Sequence, residues 1–69
     1  MAKANIINEV RRLRFENGDI TQQQLAEKIG CTRQTIIMLE QGRYVPSLAL
    51  ALKIARVFGT TVDDIFSIE

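Results

Sequence analysis

The fold is decided by residues 21–42, which read TQQQLAEKIGCTRQTIIMLEQG. The first four residues have the order of a capping box, in which Thr21 accepts a hydrogen bond from the backbone of Gln24 while the Gln24 side chain reaches back. Apolar residues then recur at helical spacing until Gly30, which suits the left-handed conformation of a helix end. The pattern predicts a helix over residues 22–29, with an inner face formed by Leu25, Ala26 and Ile29.

A second short helix is predicted directly afterwards, over residues 33–41, with Thr32 as its capping residue. Ile36 and Leu39 face one side of this helix. Two short helices joined by a tight glycine turn have the proportions of a helix-turn-helix motif. We expect Cys31 to pack at the turn as a small apolar residue, and a reactive thiol is the alternative.

The other side of this second helix carries an unusual mixture of side chains. A helical wheel that advances about 100° per residue places Arg33, Gln34, Ile37, Met38 and Gln41 there. If Ile36 and Leu39 are core residues, we expect Ile37 and Met38 to be exposed. Arginine can pair with guanine, glutamine with adenine, and an apolar group can meet a thymine methyl in the major groove. The pattern indicates that Arg33, Gln34 and Ile37 read DNA bases. The alternative is that the two polar residues are ordinary first-turn residues and that Ile37 contacts a protein partner.

Residues at both ends of the motif are candidates for contacts to the DNA backbone. Gln22 lies at the amino end of the first helix of the motif, where N–H groups attract phosphate oxygens, and its amide can bind a phosphate or brace Arg33. Arg43 and Tyr44 lie on a loop, and for Tyr44 the alternative is a half-buried ring with a solvated hydroxyl. Backbone contacts fix the register without reading sequence. The predicted backbone contacts are Gln22, Thr32, Gln41, Arg43 and Tyr44.

Three more helices are predicted outside the motif. Ser47 and Thr60 have the position of capping residues, and Phe15 widens the apolar stripe of the first helix. These helices span residues 5–16, 48–58 and 61–66. A further possibility is that the tail, residues 67–69, forms a short strand that pairs with residues 5–7. The predicted fold is therefore all-α, with five helices in a single domain over residues 1–69.

The helix over residues 48–58 is apolar around nearly its whole girth, so we expect it to be central, with only Lys53 and Arg56 in need of solvent. Its apolar run, Leu48 to Leu52, is the longest in the chain at five residues. That is too short for a transmembrane helix or a signal peptide. With a single cysteine, the sequence suggests a cytoplasmic protein without membrane contact.

Composition excludes several kinds of chemistry. The 69-residue chain has one cysteine and no histidine, which excludes a disulfide within the chain, a zinc site of the usual kind and histidine-based catalysis. A glycine-rich phosphate loop is also absent from the sequence. We expect no enzyme activity, no metal and no cofactor. The net charge of +1 decides nothing by itself, because positive charges that share a face can bind nucleic acid on a weakly basic protein.

The motif and its flanks resemble the Cro and lambda-repressor type (XRE-type) of helix-turn-helix transcriptional regulator. The resemblance runs from Ile20 to Phe66. The chain is also similar in length to single-domain members of the cytolysin-repressor type, which act as homodimers. The segments that carry the resemblance are residues 21–30, 32–36 (TRQTI), 39–42 (LEQG), 46–48 (PSL), 53–55 (KIA) and 63–66 (DDIF).

The resemblance implies a five-helix, lambda-repressor-like fold, duplex DNA binding, and control of transcription without catalysis. Gln22 corresponds to a phosphate-contacting glutamine of the family. Arg14 and Glu40 correspond to two residues that form an ion pair between the first and third helices. The family's base-reading positions correspond to Arg33, Gln34 and Ile37.

The predicted function is sequence-specific regulation of transcription by a repressor that binds a palindromic operator as a homodimer. One short helix reads too few bases, whereas a two-fold axis places two recognition helices about 34 Å apart, one turn of DNA. A small-molecule effector is not evident. The alternatives are a helical protein-interaction module that uses Ile37 and Met38, or an antitoxin-like partner protein. The expected dimer interface is Val62, Ile65, Phe66 and Ile68, with closure of the core as the alternative for Ile65 and Phe66.

Overall fold

The computed structural model describes residues 5–69, which form five helices and a two-stranded antiparallel sheet. This arrangement confirms the predicted fold class, including the terminal strand pairing that the sequence left open. In this part of the chain, no helix is both long and apolar enough to cross a membrane. The elements in chain order are β1 (Ile6–Asn8), α1 (Val10–Glu16), α2 (Gln22–Ile29), α3 (Arg33–Glu40), α4 (Leu48–Phe58), α5 (Val62–Ile65) and β2 (Phe66–Ile68).

The helix predicted over residues 5–16 begins too early in the chain. The first part of that stretch forms β1, and α1 begins only at Val10. β1 pairs antiparallel with β2, with Ile6 opposite Ile68. Asn8 ends the strand, since its side-chain oxygen accepts a hydrogen bond from the Val10 amide at 3.1 Å. Isoleucine suits a strand, and here the pairing with the far end of the chain overrides the helical spacing.

The predicted caps of α2, α3 and α4 are present. Thr21 and Gln24 form both halves of the capping box at α2. Thr32 caps α3, and Ser47 caps α4. α3 ends one residue earlier than predicted, because Gln41 lies just outside it as the C-cap. Local bonds between side chains and backbone therefore define where these helices begin.

The last helix is shorter than predicted and begins one residue later. Thr61, not Thr60, is its cap, and it accepts a hydrogen bond from the Asp64 amide at 3.2 Å. The Thr60 hydroxyl instead donates to the Asp64 carboxylate at 2.7 Å. α5 ends at Ile65, because the backbone of Phe66 is extended and Phe66 begins β2.

α4 is not enclosed as predicted. α2 and α5 pack against it, and its buried side carries Ile54 and Phe58. Leu48 and Leu52 lie on the uncovered side and are 70% and 54% exposed. The sequence pattern failed at this helix because apolar composition does not tell how many sides of a helix its neighbours cover.

A single apolar core joins the five helices. It includes Ile65, which is 2% exposed and therefore closes the core of the monomer. Val62 and Phe66 pack partly buried against this core, and so does Cys31 at the turn between α2 and α3. The large side chains that are fully buried at its centre are Leu25, Ile36, Leu39, Ile54, Ile65 and Val10.

Candidate nucleic-acid interface

α3 has one buried side and one exposed side, as its helical wheel predicts. Arg33 and Gln34 lie exposed on its first turn. Ile37 and Met38 are half-buried, so the expectation that both are exposed is wrong. The outermost surface of α3 is therefore more polar than the sequence suggested.

α3 is fixed to α1 by a buried ion pair. Arg14 Nε donates to Glu40 Oε2 at 2.6 Å, and Arg14 Nη2 donates to Glu40 Oε1 at 2.9 Å. The two side chains are only 8% and 6% exposed. The remaining Arg14 nitrogen, Nη1, donates to the Ile20 carbonyl at 3.0 Å. The ion pair that the resemblance implies is therefore present, and hydrogen bonding to Glu40 raises the pKa of Arg14 above its ordinary value.

Gln22 joins the same carboxylate from the start of α2. Its Nε2 donates to Glu40 Oε1 at 3.2 Å. The side chain therefore braces Glu40 and not Arg33, the partner considered for it in the sequence. Glu40 thus receives bonds from both preceding helices, and these bonds fix the orientation of α3. Contact between Gln22 and a phosphate stays a prediction.

An open groove lies between α1, the start of α2 and the exposed side of α3. We call it the α1–α3 groove. It brings Arg33 of α3 together with residues of the other two helices, so the predicted base-reading surface is one wall of a larger concave surface. Its main lining residues are Arg11, Phe15, Gln22, Arg33, Ile37 and Gln41.

The arginines among residues 5–69 differ in their partners. Arg12 pairs with Glu9 and Glu16, each at 2.9 Å, and Arg14 pairs with Glu40. Other arginines have no carboxylate oxygen within 4.0 Å among residues 5–69, namely Arg11, Arg33, Arg43 and Arg56. Guanidinium groups without an internal counter-charge are the groups that can bind phosphate or base edges at low cost.

The loop after α3 folds back onto the helix end. The Arg43 amide donates to the Met38 carbonyl at 2.9 Å, and Gly42 supplies the positive φ of 74° that this return requires. Arg43 and Tyr44 are exposed beside the end of α3. At the other end of α3, the Thr32 hydroxyl accepts from a backbone amide as the helix cap. Gln41 is also exposed, and the role of all these residues in DNA binding stays a prediction.

Residues 10–65 match the protein family described as Helix-turn-helix. The chain belongs to this helix-turn-helix family. The match begins at the first residue of α1 and ends at the last residue of α5, so it includes all five helices. The protein is a transcriptional regulator with a helix-turn-helix DNA-binding domain, and it is not an enzyme.

This helix-turn-helix regulator is similar to archaeal and bacterial proteins that are named uncharacterized HTH-type transcriptional regulators. One from Methanocaldococcus jannaschii is 55% identical over 51 residues, which are 74% of this chain and 77% of that protein. One from Methanothermobacter thermautotrophicus is 54% identical over 61 residues, or 87% of each chain. A third, YgzD from Bacillus subtilis, is 47% identical over 62 residues, or 90% of this chain and 92% of that protein.

A solved structure has the same fold. The crystal structure of "a putative DNA-binding protein from Bacteroides fragilis" superposes with a TM-score of 0.79 at 22% sequence identity. The superposition covers 90% of this chain and 98% of the other. At this level of identity the likeness supports the fold alone.

Two residues of the regulator's groove, Arg11 and Phe15, were not predicted from the sequence. Phe15 was assigned to the apolar stripe of the first helix, yet it is 52% exposed and borders the α1–α3 groove. The guanidinium groups of Arg11 and Arg14 lie over its ring. The spacing of Arg11 and Phe15, four residues apart on one helix face, was the available signal.

Cys31 is not suited to react as a nucleophile. It is half-buried against the core, and burial raises the pKa of its thiol above the ordinary value. A thiol that stays protonated is a poor nucleophile. The structure therefore agrees with Cys31 as a packing residue at the turn of the helix-turn-helix.

The residues expected at a dimer interface differ in their exposure. Ile65 belongs to the core, Val62 and Phe66 are half-buried, and Ile68 is exposed. Leu52 of α4, which sequence reasoning placed in the core, borders a shallow depression together with Val62. The same depression is lined by Arg56 and Asp63, so apolar side chains and charges of both signs lie beside each other there.

Proposed function

We propose that the regulator binds double-stranded DNA as a homodimer, inserts α3 into the major groove at each half of a palindromic operator, and represses transcription there. One observation carries the proposal. α3 is held to α1 and α2 through the buried Glu40 carboxylate, while Arg33 and Gln34 on its outer side stay exposed. A rigidly held helix with an exposed arginine and amide suits the reading of base edges.

The base-reading roles follow from the side chains on the first turns of α3. The Arg33 guanidinium has no carboxylate within 4.0 Å among the described residues, so it can donate to both acceptors of a guanine. The Gln34 amide matches the donor and acceptor of an adenine. Ile37, which is half-buried at the edge of the groove, offers a methyl contact to thymine.

The backbone roles fall to residues at the two ends of α3 and at the start of α2. These residues offer guanidinium, amide and hydroxyl groups, and they flank the base-reading positions along the chain. Contacts of this kind to phosphates set how deeply and at what angle α3 enters the groove, without selecting sequence. The proposed backbone contacts are Gln22, Thr32, Gln41, Arg43 and Tyr44.

A second copy of the chain is proposed to pack on the depression beside α4 and α5. Leu52 and Val62 supply apolar surface there, and the exposed Ile68 of β2 is proposed to belong to the same interface. In a symmetric interface, Arg56 of one protomer can face the partner's Asp63. Dimerisation would enlarge the buried apolar surface of a small domain and supply the second recognition helix. Repression is proposed because a dimer seated on its operator excludes other proteins from the same DNA.

Selection from a library of randomised duplexes at physiological salt tests this function. The expected result is enrichment of a two-fold symmetric site with half-sites about 10 base pairs apart. A matched control is Arg12→Ala, which removes an ion-paired arginine outside the proposed interface and should enrich the same site. Retention of duplexes without enrichment would reduce the function to backbone binding. If no duplex is retained, DNA binding is contradicted and a protein-interaction module takes its place.

A further inference from the structure

We propose that Arg11 on α1 binds a phosphate of the DNA backbone, and that the exposed ring of Phe15 positions its guanidinium for this contact. The inference rests on the proposed function and extends the DNA-binding surface beyond the helix-turn-helix to α1. Neither residue is among the backbone contacts named above.

Phe15 is an exposed aromatic ring between two arginines. The Phe15 side chain is 52% exposed, although α1 packs against the apolar core through Val10. The Arg11 Cζ atom is 5.8 Å from the centroid of the ring, and the Arg14 Cζ atom is 5.2 Å from it. At such distances the ring attracts a guanidinium through its quadrupole. The ring therefore restricts where the Arg11 side chain can lie. Arg11 is exposed, so its guanidinium is accessible to an external ligand.

The three arginines of α1 differ in what they bind within the molecule. Arg12 is neutralised by two carboxylates, and Arg14 by Glu40. Arg11 has no carboxylate oxygen within 4.0 Å in the described part of the chain. Of these three charges, that of Arg11 is available for an external anion.

The position of Arg11 agrees with contact to the duplex that α3 would bind. Arg11 and Phe15 line the α1–α3 groove together with Arg33 and Ile37. A duplex whose major groove holds α3 must bring a phosphate strand over the surfaces that flank this helix. α1 forms such a flank.

Two carboxylates line the groove, and Glu40 is paired with Arg14. Asp19 has no arginine nitrogen within 4.0 Å among residues 5–69. The charges of Arg11 and Arg33 together exceed that of Asp19, so the groove is positive.

A guanidinium suits this ligand because it can donate two parallel hydrogen bonds to phosphate oxygens. Each phosphate that a protein neutralises releases condensed counterions, and this steepens the fall of log Kobs with log salt by about 0.9. The slope of log Kobs against log salt therefore distinguishes a phosphate contact of Arg11 from a change in packing or folding.

The test is the salt dependence of binding to an enriched duplex and to a scrambled one, for the natural chain, Arg11→Ala and Arg12→Ala. Both variants remove one positive charge from neighbouring exposed positions of α1. We expect Arg11→Ala to lower the slope by about one on both duplexes, so that the affinity lost between 50 and 200 mM salt shrinks about 3.5-fold. Arg12→Ala should leave the slope unchanged.

A second variant tests the positioning role of the ring. Phe15→Leu keeps an apolar side chain and removes the aromatic face. We expect it to weaken duplex binding about two- to fivefold when Arg11 is present, and to have no further effect in the Arg11→Ala background. Such coupling in a double-mutant cycle identifies the two residues as one unit. Additive losses, or a loss that tracks a lower unfolding midpoint, would overturn the positioning role.

Failure of this inference and failure of the proposed function give different results. If the natural chain binds duplex with a steep slope and the two arginine variants share that slope, the Arg11 contact is wrong and the function stands. If the natural chain shows no salt-dependent binding to any duplex, both are wrong.

Discussion

The outer side of α3 and the outer side of α4 are both exposed helix surfaces, but their side chains differ in kind. α3 presents Arg33 and Gln34. α4 presents Leu48 and Leu52. Polar and cationic groups suit a polyanion such as DNA, whereas contiguous exposed apolar side chains suit another protein surface. Within one small domain, the two helices therefore indicate two different kinds of partner.

The two helices also differ in how they are held. α3 is oriented by directional bonds, because Glu40 accepts from both Arg14 and Gln22. α4 is held by the burial of apolar residues such as Ile54 and Phe58 between its neighbours. Directional bonds specify the angle at which a helix is presented, and a helix that reads bases needs this. A helix that only offers apolar surface does not.

The largest effect is expected from breaking the support of α3. Arg14→Ala leaves the Glu40 carboxylate buried without its main partner, which should lower the free energy of unfolding by about 3–5 kcal/mol. Urea denaturation followed by circular dichroism measures this. The matched control is the double variant Arg14→Met with Glu40→Leu, which leaves no buried charge and should recover most of the loss. A cost below about 1 kcal/mol for Arg14→Ala would contradict the role of the pair.

The next effect concerns the outer side of α4. Leu52→Lys places a charge where a second copy is proposed to pack. Loss of one buried leucine side chain costs roughly 1.5–3 kcal/mol, and a symmetric dimer loses this contribution from both protomers. The dimer should weaken at least tenfold in sedimentation equilibrium, while the unfolding midpoint of the monomer changes little. Glu27→Gln on α2 makes the same change in net charge and should leave the dimer intact. Equal dimerisation of both variants would place the interface elsewhere.

Base reading by α3 gives a smaller and more specific effect. Arg33→Ala should lose roughly 1–3 kcal/mol of binding energy on the enriched site and relax the preference at one base pair of each half-site. Selection from the randomised library, repeated with the variant, measures both quantities. An unchanged preference with weaker binding to every sequence would make Arg33 a phosphate contact.

The smallest effect is expected at α5, next to the apolar depression. Hydroxyl groups of Thr60 and Thr61 bond the Asp64 carboxylate and lower its pKa. A lowered folded-state pKa means that the stabilisation is present above the unfolded pKa of about 3.9 and is lost as the pH falls through the folded value. Asp64→Asn should therefore destabilise slightly at pH 7, and its difference from the natural chain should shrink at pH 3, below the unfolded value. Thermal unfolding at the two pH values checks this, and an equal difference at both would contradict it.

Local features of the fold could be predicted from the sequence. The caps Thr21, Thr32 and Ser47 act on residues three positions away, so a short window of sequence contains the whole interaction. The start of α1 could not be predicted this way. Ile6 has helical spacing with its neighbours, but its strand partner Ile68 lies at the other end of the chain, and no local pattern reports that pairing.

The candidate site was predictable in part. The spacing on α3 indicated Arg33 and Gln34 as exposed polar residues, and the structure agrees with this. The bond from Gln22 to Glu40 was not foreseen, because it joins helices whose separation the sequence does not give. Arg11 and Phe15 were missed for another reason: an exposed aromatic residue at helical spacing has the same sequence signature as a core residue.

The most direct test of the account is the mapping of amide chemical shifts in the ¹⁵N-labelled protein as an enriched duplex is added. We expect the largest shifts on the first turns of α3, from Arg33 to Ile37, and on Gln22 and the loop at Arg43. Amides on the outer side of α4 should respond to protein concentration and not to duplex. Largest shifts on α4 and the tail, with α3 unaffected, would contradict the claim that α3 is the DNA-reading helix.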